Sequence, residues 1–296
     1  MLRFRYRAAL VAAAVLAVAG PAGGIAQPSV PAAAEAPPAN ALLPDLGALP
    51  PRNISIEQVR VKKTIEKRLR FDTLMANSGA GPLELFPGAP GCDQHVSTAT
   101  REAWQRVFVD DNRIAGFQRT ATGPTPADSA ITQLVGCMVY HPKHHHWHVE
   151  GFAAYRLYHY TSDTAIDPSP VATSNKVSFC MLDMEWEGGG TAPAPYYSAC
   201  GENATMGISV NWADNYYSGL ADQWIVFPNN QPDGNYCLVN IGNIAAIEPT
   251  TSQSGQPLPG LIESNHTHPS NANGVKIQIS NSGTAVTPST TPCLPT

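Results

Sequence analysis

Between Asn53 and Ser280 no stretch carries apolar residues at helical spacing over four turns, and this confines the chain to strands and turns. The apolar runs are short and close on Gly, Pro, Asn or Asp. KVSFCML, residues 176–182, alternates Val177, Phe179 and Met181 against Lys176, Ser178 and Cys180, the period of a half-buried strand. GFAAYRLYHY (151–160), QWIVF (223–227), NYCLVNI (235–241) and VKIQIS (275–280) read as further strands, the last of them as the final one. LRFDTLMANSGAGPLEL, residues 69–85, places an Asn-Ser-Gly-Ala-Gly turn between two runs, the pattern of a hairpin. Asp233-Gly234 marks another turn. Strands at this spacing predict a mainly β fold, an antiparallel β-sandwich-like core with little helix and long disulfide-tied loops, such as the one over 186–206.

The chain of 296 residues opens MLRFRYRAALVAAAVLAVAG, three arginines before an Ala/Val/Leu run. The run ends by Gly20, too short for a membrane span. Residues 1–26 read as a secretory signal peptide cut near Ala26, which predicts a secreted protein with no stable membrane insertion. Residues 27–52 repeat proline and alanine, and proline denies helix and ladder hydrogen bonds alike, so they read as a linker or pro-segment. Residues 53–296 then form a single domain. Six cysteines lie at wide spacing with no CxxC. In an exported chain that predicts three disulfides, with Cys180 to Cys200 the one pairing expected.

Net charge is −5 and charged residues are sparse, so there is no basic stripe for nucleic acid. The acidic balance suits a cationic substrate only slightly. Asn53, Asn203 and Asn265 each head an N-x-S/T sequence, a glycan acceptor in a host that glycosylates exported proteins.

The densest chemistry is HPKHHHWHVEGF, residues 141–152, with five of the nine histidines. On a strand His144, His146 and His148 share one face, and a bend after Pro142 lets them converge on one ion. His145, Trp147 and Val149 then face the other way. A partly buried imidazole without a partner costs ~1–3 kcal/mol, whereas a bound metal returns ~10 kcal/mol. Imidazole alone suits zinc or copper, and the affinity series favours Cu(II). HExxH, GxSxG, P-loop and GxGxxG are all missing from the sequence. A cupin oxygenase would use Glu150 and a further histidine, for which only the weakly placed His159 offers itself.

HPKHHHWHVEGFAAY resembles the copper signature of the lysyl oxidase family, His-x-x-His-x-His-x-His followed by Phe-x-x-Tyr. His141, His144, His146 and His148 give the first part, and Phe152 and Tyr155 the second. KVSFCMLD (176–183) resembles the family's Lys-Ala-Ser-Phe-Cys segment, and GISVNWADNYYSGLADQWIVF (207–227) the segment ending in Gln-Trp-Ile. NSGAGPLEL and LIESNHT are also similar, so the resemblance runs over about residues 53–280. It implies an amine oxidase with Cu(II) on His144, His146 and His148, and with His141 beside them. It also implies a lysine tyrosylquinone made from Lys176 and Tyr216, with Tyr217 one residue away.

Such an enzyme takes primary amines, peptidyl lysine among them, and O₂, and releases aldehyde, H₂O₂ and ammonia. Asp214, two residues before Tyr216, and Asp183, just after the Lys176 strand, are the candidates for the proton-abstracting base, each also readable as an ordinary turn or loop carboxylate. The chain departs from the animal enzymes at Lys143 and Asp222, which stand where two cysteines belong, and at Asn211-Trp212, which replaces Gly-Cys. Animal disulfide connectivities therefore do not transfer. A different class of function, an exported copper- or zinc-binding protein without catalysis, needs only the histidines.

Overall fold

The computed structural model describes residues 36–92, 99–109, 130–176, 178–201, 205–246, 258, 260–264 and 271–294. The expected signal peptide, Asn203, Asn265 and Val177 lie outside the described residues. Antiparallel strands dominate, and one 3-10 turn, Ile244–Ala246, is the helix among the described residues. The expected mainly β, sandwich-like architecture is what the chain adopts. No helix among the described residues is long and apolar enough to cross a membrane.

Three sheets form. The first runs Ser178–Phe179, His146–Glu150, Ala130–His141, Thr100–Val109, Leu83–Pro90, Met206–Ile208. The second runs Ala172–Thr173, Ala153–His159, Gly234–Gly242, Ala272–Ser280, Ala285–Pro292. The third is built on the long strand Thr64–Asn77, which pairs with Trp212–Tyr216 along one half and Trp224–Phe227 along the other. Leu69, Phe71, Leu85, Leu157, Phe179, Ile225 and Leu238, each at most 1 % exposed, belong to one apolar core shared by all three sheets. Such burial stabilises by ~1.5–3 kcal/mol per large side chain.

The Asn-Ser-Gly-Ala-Gly turn is present, but it does not close a hairpin. Its flanking strands Thr64–Asn77 and Leu83–Pro90 belong to different sheets. Asn77 makes the corner. Its amide donates to the carbonyls of Gly81 and Ile208, and its side-chain oxygen accepts from the N–H groups of Asp45 and Gly79. A Cβ on Gly79 or Gly81 would lie within 2.5 Å of the backbone of Leu43 or Leu42, so the corner needs glycine.

Those contacts also change the reading of residues 27–52 as a tether. Ala41–Leu42 pairs with Val109 and Phe108, and Leu46–Ala48 with Asn77, Ala76 and Met75. Leu46 is fully buried. Both short segments lack proline, so their backbone groups are free to join a ladder. VKIQIS is likewise not the last strand, because Ala285–Pro292 follows it on the sheet edge, where prolines are tolerated.

The six cysteines form Cys92–Cys137, Cys180–Cys200 and Cys237–Cys293. The expected pairing of Cys180 with Cys200 is among them. It ties Cys200 to the segment that carries Lys176.

Candidate active site

The histidines occupy a hairpin rather than one straight strand. Ala130–His141 and His146–Glu150 pair with His141 opposite His146. Residues 142–145 form the turn, with His145 at φ 59 and its amide bonded to the His141 carbonyl. Pro142 and the left-handed His145 make the chain reverse, so His144 sits in the turn and not on the strand face expected for it. Convergence survives by another route. His144 Nδ1 lies 3.4 Å from His148 Nε2, and His146 Nε2 lies 3.1 Å from the same atom. His145 points to solvent, and Trp147 packs against Tyr140.

His141 joins the cluster by stacking on His144 at 4.0 Å between ring centroids. Its Nε2 lies 3.9 Å from Asp222 Oδ2. His146 also approaches Cys180 and Cys200, but their sulfurs are bonded to each other. Burial, first, and then the neighbouring cations push His148 down to about 2 and His144 down to about 4. Both rings are therefore neutral at pH 7.

Lys176 reaches this neighbourhood because Ser178–Phe179 pairs with Val149 and Glu150, next to the histidines. Ser178 Oγ lies 3.4 Å from His148 Nδ1. Among the described residues of KVSFCML, strand is formed over Ser178–Phe179. Cys180 cannot continue the ladder there, because its N–H and its carbonyl are both bonded to the Tyr216 hydroxyl, each at 2.7 Å. Tyr216 ends the strand Trp212–Tyr216, opposite Thr73. Lys176 Nζ stands 4.8 Å from the centroid of the Tyr216 ring and 5.0 Å from that of Phe179.

Lys176 is 6 % exposed, and burial lowers its amine to about 8 against the pull of Asp222 and Asp214. Burial raises the Tyr216 phenol well above its ordinary value. Tyr217, the adjacent alternative, is 44 % exposed and faces solvent.

The two carboxylates differ. Asp183 accepts from the N–H groups of Tyr196, Tyr197 and Ser209 and from the Ser209 hydroxyl, which commits both of its oxygens. Asp214 is equally buried, yet its Oδ2 has no hydrogen-bond partner among the described residues. Burial raises its pKa well above the carboxylate range. A narrow cavity with room for about one water is lined by Asp214, Tyr216, Tyr155, Phe179, Phe152 and Asn240.

A family model described as lysyl oxidase matches residues 91–249, just over half of the chain. The chain belongs to the lysyl oxidase family. No curated protein and no solved structure matches it. Lysyl oxidases are in general copper-dependent oxidoreductases that carry lysine tyrosylquinone, and the matched region contains the histidine hairpin, Lys176, Asp183, Asp214 and Tyr216. It is shorter than the resemblance read from the sequence, and leaves out the strand Thr64–Asn77 that backs Tyr216.

His144 and His146 both approach His148, and His141, His144 and His148 also offer ligand atoms within 4.8 Å of one another, so the histidine cluster fits a lysyl oxidase copper. Metal–imidazole bonds of ~2.0–2.1 Å put ligand nitrogens of one tetrahedral ion ~3.3 Å apart, close to the two spacings around His148 Nε2. Sequence reading missed Phe179, whose ring meets Tyr216, Tyr155 and Phe152 edge-on or tilted. It also treated Asp222 only as a lost cysteine. The Phe-x-x-Tyr pattern was the available signal for the aromatic wall; nothing in the sequence ties Asp222 to His141.

Proposed function

We propose that this lysyl oxidase is a secreted copper amine oxidase that converts a primary amine, O₂ and water into an aldehyde, ammonia and H₂O₂. The observation that carries the reading is the contact of the buried Lys176 amine with the Tyr216 ring beside three converging imidazoles. In this reading His144, His146 and His148 hold Cu(II), and Lys176 and Tyr216 are the precursors of lysine tyrosylquinone. The bound copper and the quinone supply the electron sink and the oxygen chemistry.

The chain's own residues do the rest. Burial makes the Lys176 amine easier to deprotonate, and a neutral amine is the nucleophilic form. Cys180 fixes the tyrosine oxygen from both sides and so fixes which ring edge faces Lys176. Phe179, Phe152 and Tyr155 wall the ring on its apolar side and leave room for about one water beside it. Asp214 takes the substrate α-proton in this scheme. It has an unengaged oxygen next to the ring and a raised proton affinity, whereas Asp183 spends its oxygens on four donors. The disulfides are consistent with an exported protein.

A metal binder without catalysis would need none of the Lys176 and Tyr216 arrangement. The test is amine-dependent peroxide release by copper-loaded full chain, with a quinone redox-cycling stain on a denaturing gel. Both are expected to be positive after copper loading in air. A negative stain and no peroxide with any primary amine would leave the binder reading in place.

A further inference from the structure

We propose that Asp222 is the rim carboxylate that captures the ammonium group of the incoming substrate and selects amines by the charge they carry. The inference rests on the amine-oxidase reading and names a residue and a substrate preference within it.

Residues 217–222 follow Tyr216 directly, and their backbone is fixed from below. The Ser218 N–H donates to Asp72 Oδ1 at 2.6 Å. The Arg70 guanidinium donates to the carbonyls of Ser218 and Leu220, at 2.8 and 3.3 Å. The Leu220 N–H closes a turn onto Tyr217. A segment held this way presents its side chains in a set arrangement before any ligand arrives.

Asp222 ends that segment at φ 62, a conformation side chains other than glycine rarely adopt. Its carboxylate lies against His141, at the edge of the histidine cluster, with 40 % of the side chain open to solvent. Tyr217 and Leu220, 44 % and 37 % exposed, offer apolar surface on the same segment. A segment that exposes a carboxylate together with a phenol ring and a leucine carries the chemistry that matches an alkylammonium ion, a charge for its charge and apolar surface for its methylenes.

Lys176 supports this assignment. The two carboxylates that favour its ammonium against burial are Asp222 and Asp214. Once the Lys176 nitrogen is bonded to the Tyr216 ring it is no longer a cation, and Asp222 loses that counter-charge. A substrate ammonium restores it. Asp214 is 3 % exposed and lies too deep to meet substrate first, which leaves Asp222 as the point of arrival. The preferred substrates are primary alkylamines, dications ahead of monocations, and amines carrying a carboxylate last.

The test compares hexylamine, 1,6-diaminohexane and 6-aminohexanoate as substrates of the copper-loaded wild type, Asp222→Asn and Asp222→Glu. The asparagine variant is expected to raise KM for hexylamine about tenfold with kcat within about twofold, as for one charge pair lost in a partly screened site. The glutamate variant should recover most of the loss, and the ranking of the three amines should flatten in the asparagine variant. Wild-type KM for hexylamine should itself rise with salt, a reading that needs no variant. An active wild type with salt-independent KM overturns the proposal, as does an asparagine variant that loses kcat at unchanged KM. A wild type that releases no peroxide with any amine overturns the amine-oxidase reading instead.

Discussion

The hydroxyl of Tyr216 accepts from the N–H of Cys180 and donates to the carbonyl of the same residue, both at 2.7 Å. One phenol thus replaces a strand partner on the segment that carries Lys176, and Cys180 is tied in turn to Cys200. The ring that the proposed chemistry needs is positioned by backbone groups, not by a side chain that substitution could remove.

Replacing Tyr216 with phenylalanine should therefore cost more than chemistry. It leaves a buried N–H and carbonyl unpaired, at ~1–3 kcal/mol. Urea denaturation of the metal-free variant should show a lower midpoint at unchanged slope. Tyr217→Phe, at an exposed ring, should leave the midpoint where it was.

Lys176→Arg should keep copper and lose amine-dependent peroxide. The histidine nitrogens do not depend on Lys176, while a guanidinium is charged at any working pH and cannot act as the nucleophilic amine. Metal analysis alongside a peroxide assay checks both halves. Peroxide release retained by this variant would contradict the role given to Lys176.

Asp214 and Asp183 should separate cleanly. Asp214→Asn is expected to lower kcat by ~10²–10⁴, the range for losing a general base, with a small change in stability. Asp183→Ala strands the three backbone N–H groups and the Ser209 hydroxyl that bond to it, and should destabilise the fold by several kcal/mol, on the order of ~1–3 for each buried donor left unsatisfied. Steady-state kinetics and denaturant midpoints on both variants decide which carboxylate serves which end.

Cross-link formation should speed up with pH. Lys176 is lowered to about 8, so below that value the neutral, reactive fraction of its amine grows about tenfold per pH unit and then levels off. A nearby copper ion adds a positive charge and moves the plateau lower, never higher. The rate at which quinone absorbance appears after copper addition in air, followed from pH 6 to pH 9, reads this directly. A rate that falls across that range would contradict a neutral-amine step.

The strand content and the Cys180–Cys200 pairing were legible in local pattern, and the closeness of Lys176 to Tyr216 in the motif order of the family resemblance. What sequence periodicity cannot report is which sheet a strand joins. The runs on either side of Ser78 look like a hairpin, yet Asn77 turns the chain into another sheet through contacts to Ile208 and Asp45, far away in sequence. His144 was placed on a strand because its spacing to His146 and His148 is two and four. The left-handed His145 folds it into a turn instead and still brings it to His148. Leu46 and its neighbours were hidden by the prolines around them. Asp222 carried no local signal, since its approach to His141 joins a turn to a strand end 81 positions away in the chain (222 − 141).

The most direct test of the central claim is peptide mass analysis of the full chain after copper loading in air. One digest product should contain the Lys176 and Tyr216 peptides joined, sensitive to quinone reductants, and absent from protein kept free of copper. Recovery of both peptides separate and unmodified from copper-saturated, aerated protein would contradict the account.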